Sequence, residues 1–314
     1  MSHADPTIIN VAVAVILRED GRVLLAERPP GKPVPGYWEF PGGKFEADED
    51  SVQALTREIH EEIGVDIDMA YPWLTREYAY PDKCVRLHFY RVRRWHGVPH
   101  GREGQRVSWE DPRAIRVGPL LPANHKVVAA LCLPSCYAIT ASEKYGVADF
   151  MHRLQRALDH GVRLIQVRER AMADAQLQAF ASEVVALAHA YGATVLINGD
   201  ADLALRSGAD GVHLQSAQLA RLKRRPGTRL WSASCHDAEE LARAAELDAD
   251  FVVLSPVLPT ASHPGQPGMG WESFAALTRD YPLPIYALGG MHTELLDTAM
   301  AHGAHGIALL SGIW

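Results

Sequence analysis

Apolar and polar positions alternate in several segments of the first 133 residues. Residues 11–17 predict a strand, residues 19–21 a turn and residues 23–25 the returning strand, because apolar stretches flank an Asp-Gly pair. Residues 74–80 and 84–92 predict a second hairpin, which turns at a Pro-Asp pair. These patterns predict two pairs of neighbouring strands in the first part of the chain.

A different pattern begins after Pro134, where short apolar runs alternate with amphipathic stretches. The apolar runs are residues 137–139, 164–167, 194–197, 211–214, 230–233, 251–254, 284–288 and 306–310. Continuous apolar strands that alternate with helices indicate a parallel sheet whose outer face is covered. Eight such units predict a closed (β/α)8 barrel of the triosephosphate-isomerase type.

A short linker separates the two patterns. Residues 127–133 predict a helix that closes the first region, and only residues 133–135 connect it to the first apolar run. The sequence therefore predicts two α/β domains, residues 1–133 and residues 134–314. We expect them to pack together, because the linker is too short for independent tumbling.

Composition and charge argue against a nucleic-acid-binding, a membrane-spanning or a secreted protein. The net charge of −7 divides into −2 for residues 1–133 (17 basic, 19 acidic) and −5 for residues 134–314 (14 basic, 19 acidic). Neither domain is therefore expected to bind nucleic acid. No apolar run reaches the roughly 20 residues of a membrane helix, and the N-terminus does not resemble a signal peptide. The four cysteines form no Cys-x-x-Cys pair, so a cytoplasmic protein with reduced thiols and no membrane partner is expected.

Residues 51–63 predict an acidic helix that Asp50 can cap and Gly64 can end. Positions i, i+3 and i+4 of one face carry three glutamates, Glu58, Glu61 and Glu62. Like charges on one face repel each other, and a hard divalent cation such as Mg²⁺ would relieve the repulsion while binding substrate phosphates. A solvated acidic face is the alternative, against which the fixed glycines and the arginine around it argue.

A longer spaced pattern surrounds this helix: Gly43-x5-Glu49-x7-Arg57-Glu58-Ile59-x-Glu61-Glu62-x-Gly64-Val65. It resembles the Nudix box at every position, and residues 6–132 resemble the MutT type of Nudix hydrolase, which removes oxidised purine nucleotides. Further matching segments are residues 24–28, 38–44, 101–105 and 122–124. The resemblance implies an α/β/α sandwich with a mixed sheet and a hydrolase that serves DNA repair.

The resemblance also implies a site for Mg²⁺, with Mn²⁺ as the alternative ion. The implied metal ligands are the Gly42 carbonyl, Glu58, Glu61, Glu62 and Glu103. One carboxylate, most often Glu58, would assist deprotonation of the attacking water, while Glu49 and Arg57 would pair and brace the loop against the helix. Water would attack one phosphorus of a nucleoside triphosphate, which yields a nucleoside monophosphate and pyrophosphate.

For the substrate, the resemblance implies that Arg28, Phe40 and Asn124 hold the base and that Lys83 lies near the phosphates. Relatives often carry arginine at the position of Lys83. An amide at position 124 could recognise a keto oxygen and an adjacent N–H together. The alternative role of Asn124 is an N-cap for the helix that begins near His125, and the two roles are compatible.

Polar residues follow the strands of the predicted barrel at their carboxyl ends, where barrel enzymes carry their chemistry. They are Arg168, Glu169, Arg170, Asn198, Asp200, Gln215, Ser234, His236, Ser255, Gly289 and Gly290. Residues 136–314 resemble the thiamine-phosphate synthase superfamily, and within it the TenI-like thiazole tautomerases, in segments 166–170, 197–199, 208–214, 234–236, 287–291 and 311–313. A thiazole or thiamine phosphate held by Arg168, Asn198, Gly289 and Gly290 is what this resemblance implies.

Three positions depart from the synthases. Gly199 stands where they carry an aspartate, Gln215 where they carry an acidic metal ligand, and His263 near the place of a loop lysine. A pyrophosphate leaving group needs a metal or several cations, so condensation by the synthase mechanism is not expected. A tautomerase agrees better, with His236 as the proton shuttle. A turn or cap role before the helix of residues 237–247 is the alternative for His236.

The sequence stops shortly after the eighth apolar run, so the barrel is expected to lack its last helix. Apolar surface over strands eight and one must still be covered. We expect the N-terminal domain to cover it, or else a second subunit in a homodimer.

These observations predict a Mg²⁺-dependent 8-oxo-dGTP diphosphatase with a fused TenI-like barrel. One alternative is a bifunctional thiamine-pathway enzyme, in which the Nudix half hydrolyses a pathway pyrophosphate and the barrel is a thiazole phosphate tautomerase. In another alternative, the barrel is a non-catalytic ligand-binding module.

Overall fold

The computed structural model describes residues 8–79, 83–260 and 267–314, and the chain divides into two compact units. The first unit comprises Met1–Cys132 with Arg279–Pro282, and the second comprises Leu133–Thr278 with Leu283–Trp314. Tyr80, at the end of the predicted hairpin strand, and His263 lie outside the described residues.

The first unit contains seven strands and two helices among its described residues. They are β1 (Ile8–Ile16), β2 (Val23–Glu27), β3 (Trp38–Glu39), β4 (Gly42–Lys44), α1 (Ser51–Ile63), β5 (Asp66–Ala79), β6 (Cys84–His96), β7 (Val107–Glu110) and α2 (His125–Leu131). A short 3₁₀ helix, Pro122–Asn124, precedes α2. The helix expected at residues 127–133 therefore begins and ends two residues earlier.

The strands form two sheets rather than two simple hairpins. One is a mixed sheet in the order β4-β1-β6-β5, and the other is ordered β3-β2-β7. The interpretation of residues 23–25 as a strand returning beside β1 is wrong, because β2 leaves β1 after a single bridge between Leu17 and Val23. Both edges of β1 are already occupied, by β4 and by β6. The mixed sheet that the Nudix resemblance implied is confirmed.

The second hairpin exists but is longer than its pattern predicts. Strand β5 extends back to Asp66 and β6 forward to His96, and the pairing shifts register near Ile67, Met69 and Pro72. Each shift breaks the alternation of buried and exposed positions, so the first half of β5 carries no regular period-two signal.

Helix α1 follows its predicted limits. Asp50 accepts hydrogen bonds from the amides of Val52 and Gln53, and the Gln53 side chain accepts one from the Asp50 amide, which completes a capping box. Gly64 ends the helix in the left-handed conformation, with φ of 72°. The buried face packs on the sheets through Ala54, Leu55, Ile59 and Ile63. Burial of this face fixes the direction in which the glutamates of α1 point.

The second unit is the predicted eight-stranded barrel. Its elements are β8 (Cys136–Ile139), α3 (Ser142–Tyr145), α4 (Val147–Asp159), β9 (Leu164–Val167), α5 (Asp174–Ala190), β10 (Thr194–Asn198), α6 (Ala201–Ser207), β11 (Gly211–Leu214), α7 (Ser216–Leu219), β12 (Leu230–Cys235), α8 (Ala238–Glu246), β13 (Phe251–Leu254), α9 (Gly270–Thr278), β14 (Ile285–Ala287), α10 (Leu296–Ala301) and β15 (Gly306–Leu309). The strands pair in parallel, and β15 closes on β8. The barrel class is confirmed, and all eight strands lie within or beside the predicted runs.

Aromatic side chains fill the barrel interior. Tyr137, Phe251 and Tyr286 are almost fully buried, and their ring centroids lie 5.1–5.7 Å apart in edge-to-face or tilted pairs. A separate apolar cluster lies between the strands and helices α4, α5 and α6. Among the helices in the described part of the chain, none has the length and apolar character that crossing a membrane requires.

Strand β15 is the last element within the described residues. Ile313 and Trp314 pack against the cluster of α4 and α5. The Trp314 indole N–H donates to the Ile139 carbonyl at 2.8 Å, and its ring lies 4.9 Å from that of Phe150. These two residues thus cover part of the surface at the carboxyl end of β8.

Candidate active sites

Arg57 organises the acidic face of α1. Its Nε and Nη2 donate to the two oxygens of Glu49 at 2.7 and 2.9 Å, and Nη2 also donates to the Lys44 carbonyl at 3.0 Å. Its Nη1 lies between Glu58, at 3.0 Å, and Glu61, at 3.2 Å. The hydrogen bonds from Arg57, with one from the Glu46 amide, lower the pKa of Glu49 to about 2. The predicted brace between loop and helix therefore has a bidentate geometry.

Glu58 lies directly over a glycine of the loop before α1. A side chain at Gly43 would place its Cβ 2.0 Å from the Glu58 carboxyl carbon, so the carboxylate would have to move from its present position. Burial raises the pKa of Glu58, while its hydrogen bond with Arg57 opposes the rise. The carboxylate is thus a stronger base than an exposed glutamate, which suits the role in water deprotonation that the family pattern implies.

A second cation, Lys32, stands on the other side of the acidic face. Its ammonium lies 2.6 Å from Glu62 and 2.8 Å from Glu103. Although burial opposes it, hydrogen bonds to Glu103 and Glu62 raise the pKa of Lys32 above its usual value. The Glu62 side chain is only 10% exposed, and its second oxygen accepts from the Gly42 amide at 3.3 Å. Lys32 was absent from the residues that sequence reasoning selected.

The loop that carries Glu103 is attached to the end of α1. The Gln105 side chain donates to the Glu62 carbonyl at 3.0 Å and accepts from the Glu103 amide at 2.8 Å. The Arg102 amide also donates to the Glu62 carbonyl at 3.0 Å. These bonds bring Glu103 to the acidic face although 41 residues separate it from Glu62 in the sequence.

The donor set fits a hard divalent cation by its chemistry. Four carboxylates, Glu58, Glu61, Glu62 and Glu103, share two cationic side chains, so the group already binds positive charge. In the part of the chain that is described, no three histidine, cysteine, aspartate or glutamate side chains are clustered as a ready-made metal centre. Lys32 contacts Glu62 and Glu103, and Arg57 contacts Glu58 and Glu61.

Asn124 is buried beside the first residues of α2, with 4% exposure. Its side chain makes no capping hydrogen bond to the helix, so the capping alternative finds no support in the geometry. The amide nitrogen Nδ2 is buried and has no hydrogen-bond partner among the described residues. A buried, unpaired donor is costly, and a ligand that accepts from it would remove that cost.

The other base-binding candidates are differently placed. Phe40 is buried in the core, and its ring packs edge-on against Phe89 with centroids 6.3 Å apart. Arg28 donates to the Pro33 carbonyl at 2.6 Å and to Glu39 at 2.5 Å, so it braces its own loop. Lys83 lies directly before β6, the second strand of the long hairpin. Their contacts with a nucleotide stay predictions.

Neutral polar groups form a hydrogen-bonded chain from the barrel interior to the exposed Gln215, which follows β11. Gln166 donates to the Tyr137 hydroxyl at 3.0 Å, Asn198 donates to Gln166 at 3.3 Å, and Gln215 donates to Asn198 at 3.1 Å. Gln218 donates to the Gly199 carbonyl at 2.7 Å. These side chains include no carboxylate, so this group offers no anionic ligand for a metal–pyrophosphate complex.

His213 lies at the centre of the barrel, with 2% exposure, and sequence reasoning did not select it. Its two ring nitrogens lie 2.7 Å from the Ser232 hydroxyl and 2.9 Å from the Ser234 hydroxyl. Burial, with a smaller contribution from Arg168, lowers the pKa of His213 to about 3. The imidazole is therefore neutral near pH 7, so one nitrogen donates and the other accepts.

The remaining barrel candidates lie at the carboxyl ends of the strands. The Arg168 guanidinium is partly buried and makes no hydrogen bond or ion pair with the described residues, and burial lowers its pKa. Gly289 turns with φ of 100°, and a Cβ there would approach Pro256 Cα to 2.9 Å. His236 pairs with Glu240 at 2.8 Å on the surface, while Asp237 caps α8. The proton-shuttle role of His236 stays a prediction.

Comparisons with known proteins agree with this division. A family model described as Thiamine monophosphate synthase matches residues 136–313, and one described as NUDIX domain matches residues 7–131. An 8-oxo-dGTP diphosphatase of Haemophilus influenzae is 40% identical over 127 residues, which cover 40% of this chain and 93% of that protein. The Escherichia coli 8-oxo-dGTP diphosphatase is 34% identical over 123 residues, which cover 39% of this chain and 95% of that protein. A candidate thiamine-phosphate synthase of Aquifex aeolicus is 39% identical over 181 residues, which cover 57% of this chain and 97% of that protein.

The environment of His213 predicts a pH dependence of barrel stability. Between its folded pKa of about 3 and the ordinary value of roughly 6.5, the unfolded chain binds a proton that the folded barrel excludes. The free energy of unfolding should therefore fall with decreasing pH by up to about 1.4 kcal/mol per pH unit from this group. We expect the free energy of unfolding of His213→Gln, measured with urea on the full chain at pH 5, 6 and 7, to fall less steeply with decreasing pH than that of the wild type. The exposed His152→Gln is the control, and parallel pH curves for His213→Gln and the wild type would refute this assignment.

Proposed function

We propose that this chain, which belongs to the Nudix family through residues 7–131 and to the thiamine monophosphate synthase family through residues 136–313, hydrolyses oxidised purine nucleoside triphosphates in its N-terminal domain. The chain is a Nudix hydrolase by family, and both families act on nucleotides or other phosphate compounds. Two relatives named 8-oxo-dGTP diphosphatase, each covered over more than nine-tenths of its length, support the choice of substrate. The products would be a nucleoside monophosphate and pyrophosphate.

The observation that carries the proposal is the group of four carboxylates that share the cations Arg57 and Lys32. Glu58, Glu61, Glu62, Glu103 and the Gly42 carbonyl would hold Mg²⁺ or Mn²⁺. A bound ion would neutralise phosphate charge and make water a better nucleophile. A triphosphate carries several negative charges, so a purely acidic face would repel it without such a cation.

Residues of the chain itself would accept the proton of the attacking water and hold the proton acceptor in position. Glu58, which is held over Gly43 and is made more basic by burial, would accept a proton from the attacking water. Arg57 holds Glu58 in place through Nη1 while Glu49 fixes the guanidinium from the other side. Phosphoryl transfer depends mainly on such positioning and on charge, so no covalent nucleophile is required.

Selection of the oxidised base would depend on Asn124. Its buried Nδ2 lacks a partner in the described part of the chain, so a keto oxygen of the substrate would supply one. The amide oxygen could accept from an adjacent N–H of the same base. A site with a buried polar group discriminates strongly against a base that leaves this group unpaired.

Replacement of Glu62 by glutamine tests the hydrolytic role. We expect pyrophosphate release from 8-oxo-dGTP with Mg²⁺ to fall by at least about 100-fold, because a ligand charge is lost without a change in side-chain size. The fold should survive, since Lys32 keeps its contact with Glu103. Exposed Glu77→Gln removes the same charge from β5 and should keep wild-type activity. Wild-type turnover by Glu62→Gln at limiting Mg²⁺ would exclude the assignment.

A second candidate function belongs to the barrel, which we propose binds and rearranges a thiazole phosphate rather than joining two substrates. The partly buried Arg168 guanidinium makes no ion pair in the described residues, and the amides of Gly289 and Gly290 donate to no described group. Both features suit a phosphate. Amides in place of carboxylates disfavour a pyrophosphate leaving group. Full-length protein mixed with a thiazole phosphate should show turnover or saturable binding that Arg168→Met abolishes, and absence of both in the wild type would reject this function.

A further inference from the structure

The Lys32 ammonium contacts two of the carboxylates that would otherwise hold a metal ion. Its Nζ lies 2.6 Å from Glu62 Oε1 and 2.8 Å from Glu103 Oε2, so one ammonium bridges two carboxylates that come from different parts of the chain. Glu62 is nearly buried, which strengthens the attraction relative to a surface pair. A divalent cation that takes these two oxygens has to break both contacts.

The loop that presents Lys32 is braced rather than open. Arg28 donates through Nε to the Pro33 carbonyl at 2.6 Å, and its guanidinium also binds Glu39. At the base of the loop, the Arg28 amide donates to the Tyr37 carbonyl at 2.8 Å. The Gly36 amide donates to the Arg28 carbonyl at 3.0 Å. Four prolines between residues 29 and 35 restrict the backbone further. The loop therefore holds the Lys32 backbone near the acidic face, while the lysine side chain itself stays long and adaptable.

We propose that Lys32 is the resident counter-ion of the Nudix metal site, displaced from Glu62 and Glu103 when the divalent cation binds and transferred to the phosphates of the nucleotide. This inference rests on the proposed function of the same site. The bare ion must displace an ammonium and leave it unpaired. A metal–nucleotide complex supplies the displaced ammonium with new anionic partners. Lys32 thus weakens binding of metal alone and favours binding of metal together with substrate.

In one variant, Lys32→Met, we expect the affinity for the bare ion and the affinity for the metal–nucleotide complex to change in opposite directions. Lys32→Met should bind bare Mn²⁺ more tightly than the wild type, because two carboxylates lose their competing cation. The same variant should bind the Mn²⁺ complex of a nonhydrolysable triphosphate more weakly, because the phosphates lose the ammonium. Each change should be on the order of tenfold, as is usual for coupled sites. Lys32→Arg keeps the charge and should stay near the wild type for the bare ion.

Lys44→Met is the matched control for charge. Lys44 lies on β4 beside α1, where its carbonyl accepts from Arg57, but within the described residues its ammonium pairs with none of the four carboxylates. Its loss changes the net charge of the region equally without freeing Glu62 or Glu103. The three variants and the wild type, as full chains, are titrated with Mn²⁺ while electron paramagnetic resonance reports the free ion. Calorimetry then reports binding of the Mn²⁺–nucleotide complex.

The outcomes separate this inference from the function on which it rests. Tighter Mn²⁺ binding by Lys32→Met than by Lys44→Met, with weaker binding of the complex, supports the resident counter-ion. If the wild type binds Mn²⁺ and Lys32→Met binds it with the same affinity as Lys44→Met, Lys32 is not the resident counter-ion. The proposed function is then left intact. Unchanged binding of the complex by Lys32→Met overturns the transfer to phosphate. Absence of Mn²⁺ binding in every protein overturns both the counter-ion and the proposed metal site.

Discussion

Repulsion among the glutamates of α1 and its neighbouring loops is the constraint on which the N-terminal site depends. Two carboxylates about 4 Å apart repel by roughly 4 kcal/mol at the effective dielectric of a protein surface. Arg57 offsets the repulsion with a bidentate bond to Glu49 and an Nη1 shared by Glu58 and Glu61, and Lys32 does so for Glu62 and Glu103. The apolar face of α1 keeps these groups in place, because Leu55, Ile59 and Ile63 are fully buried. The site is therefore rigid in its helix and at Arg57, which Glu49 and the Lys44 carbonyl hold, and adaptable at the Lys32 side chain.

The barrel interior differs electrostatically from the acidic face of the first domain, because its polar groups are neutral. A chain of neutral donors and acceptors runs from the buried Tyr137 and Gln166 through Asn198 to the exposed Gln215, and burial keeps the interior histidine His213 uncharged. Neutral groups can be buried at lower cost than charged ones when each finds a partner. The first domain thus concentrates negative charge that a cation can neutralise, whereas the barrel keeps charge at the rim, at Arg168. This contrast agrees with two different kinds of phosphate chemistry on one chain.

Local signals in the sequence were sufficient for much of this architecture. Asp50 and Gly64 mark the limits of α1, and the apolar runs of the second half mark eight strands, because both depend on neighbours in sequence. Contacts between distant residues were not predictable in the same way. The departure of β2 from β1 and the bridge from Lys32 to Glu62 depend on how separate segments pack, and no spacing encodes either. For Asn124 the sequence left both capping and base recognition open, and only the structure shows that the buried side chain makes no cap hydrogen bond.

We propose that the N-terminal domain hydrolyses oxidised purine triphosphates and that Asn124 recognises the oxidised base. The most direct measurement is kcat/KM for 8-oxo-dGTP and for dGTP, with Mg²⁺ and pyrophosphate detection, in the full-length wild type, Asn124→Ala and the exposed neighbour variant His125→Ala. The account predicts that the wild type and His125→Ala prefer 8-oxo-dGTP and that Asn124→Ala loses that preference by at least about tenfold, since one buried hydrogen bond is worth more than 1 kcal/mol when it is left unmade. Equal kcat/KM for the two nucleotides in the wild type, or an unchanged ratio in Asn124→Ala, would contradict it.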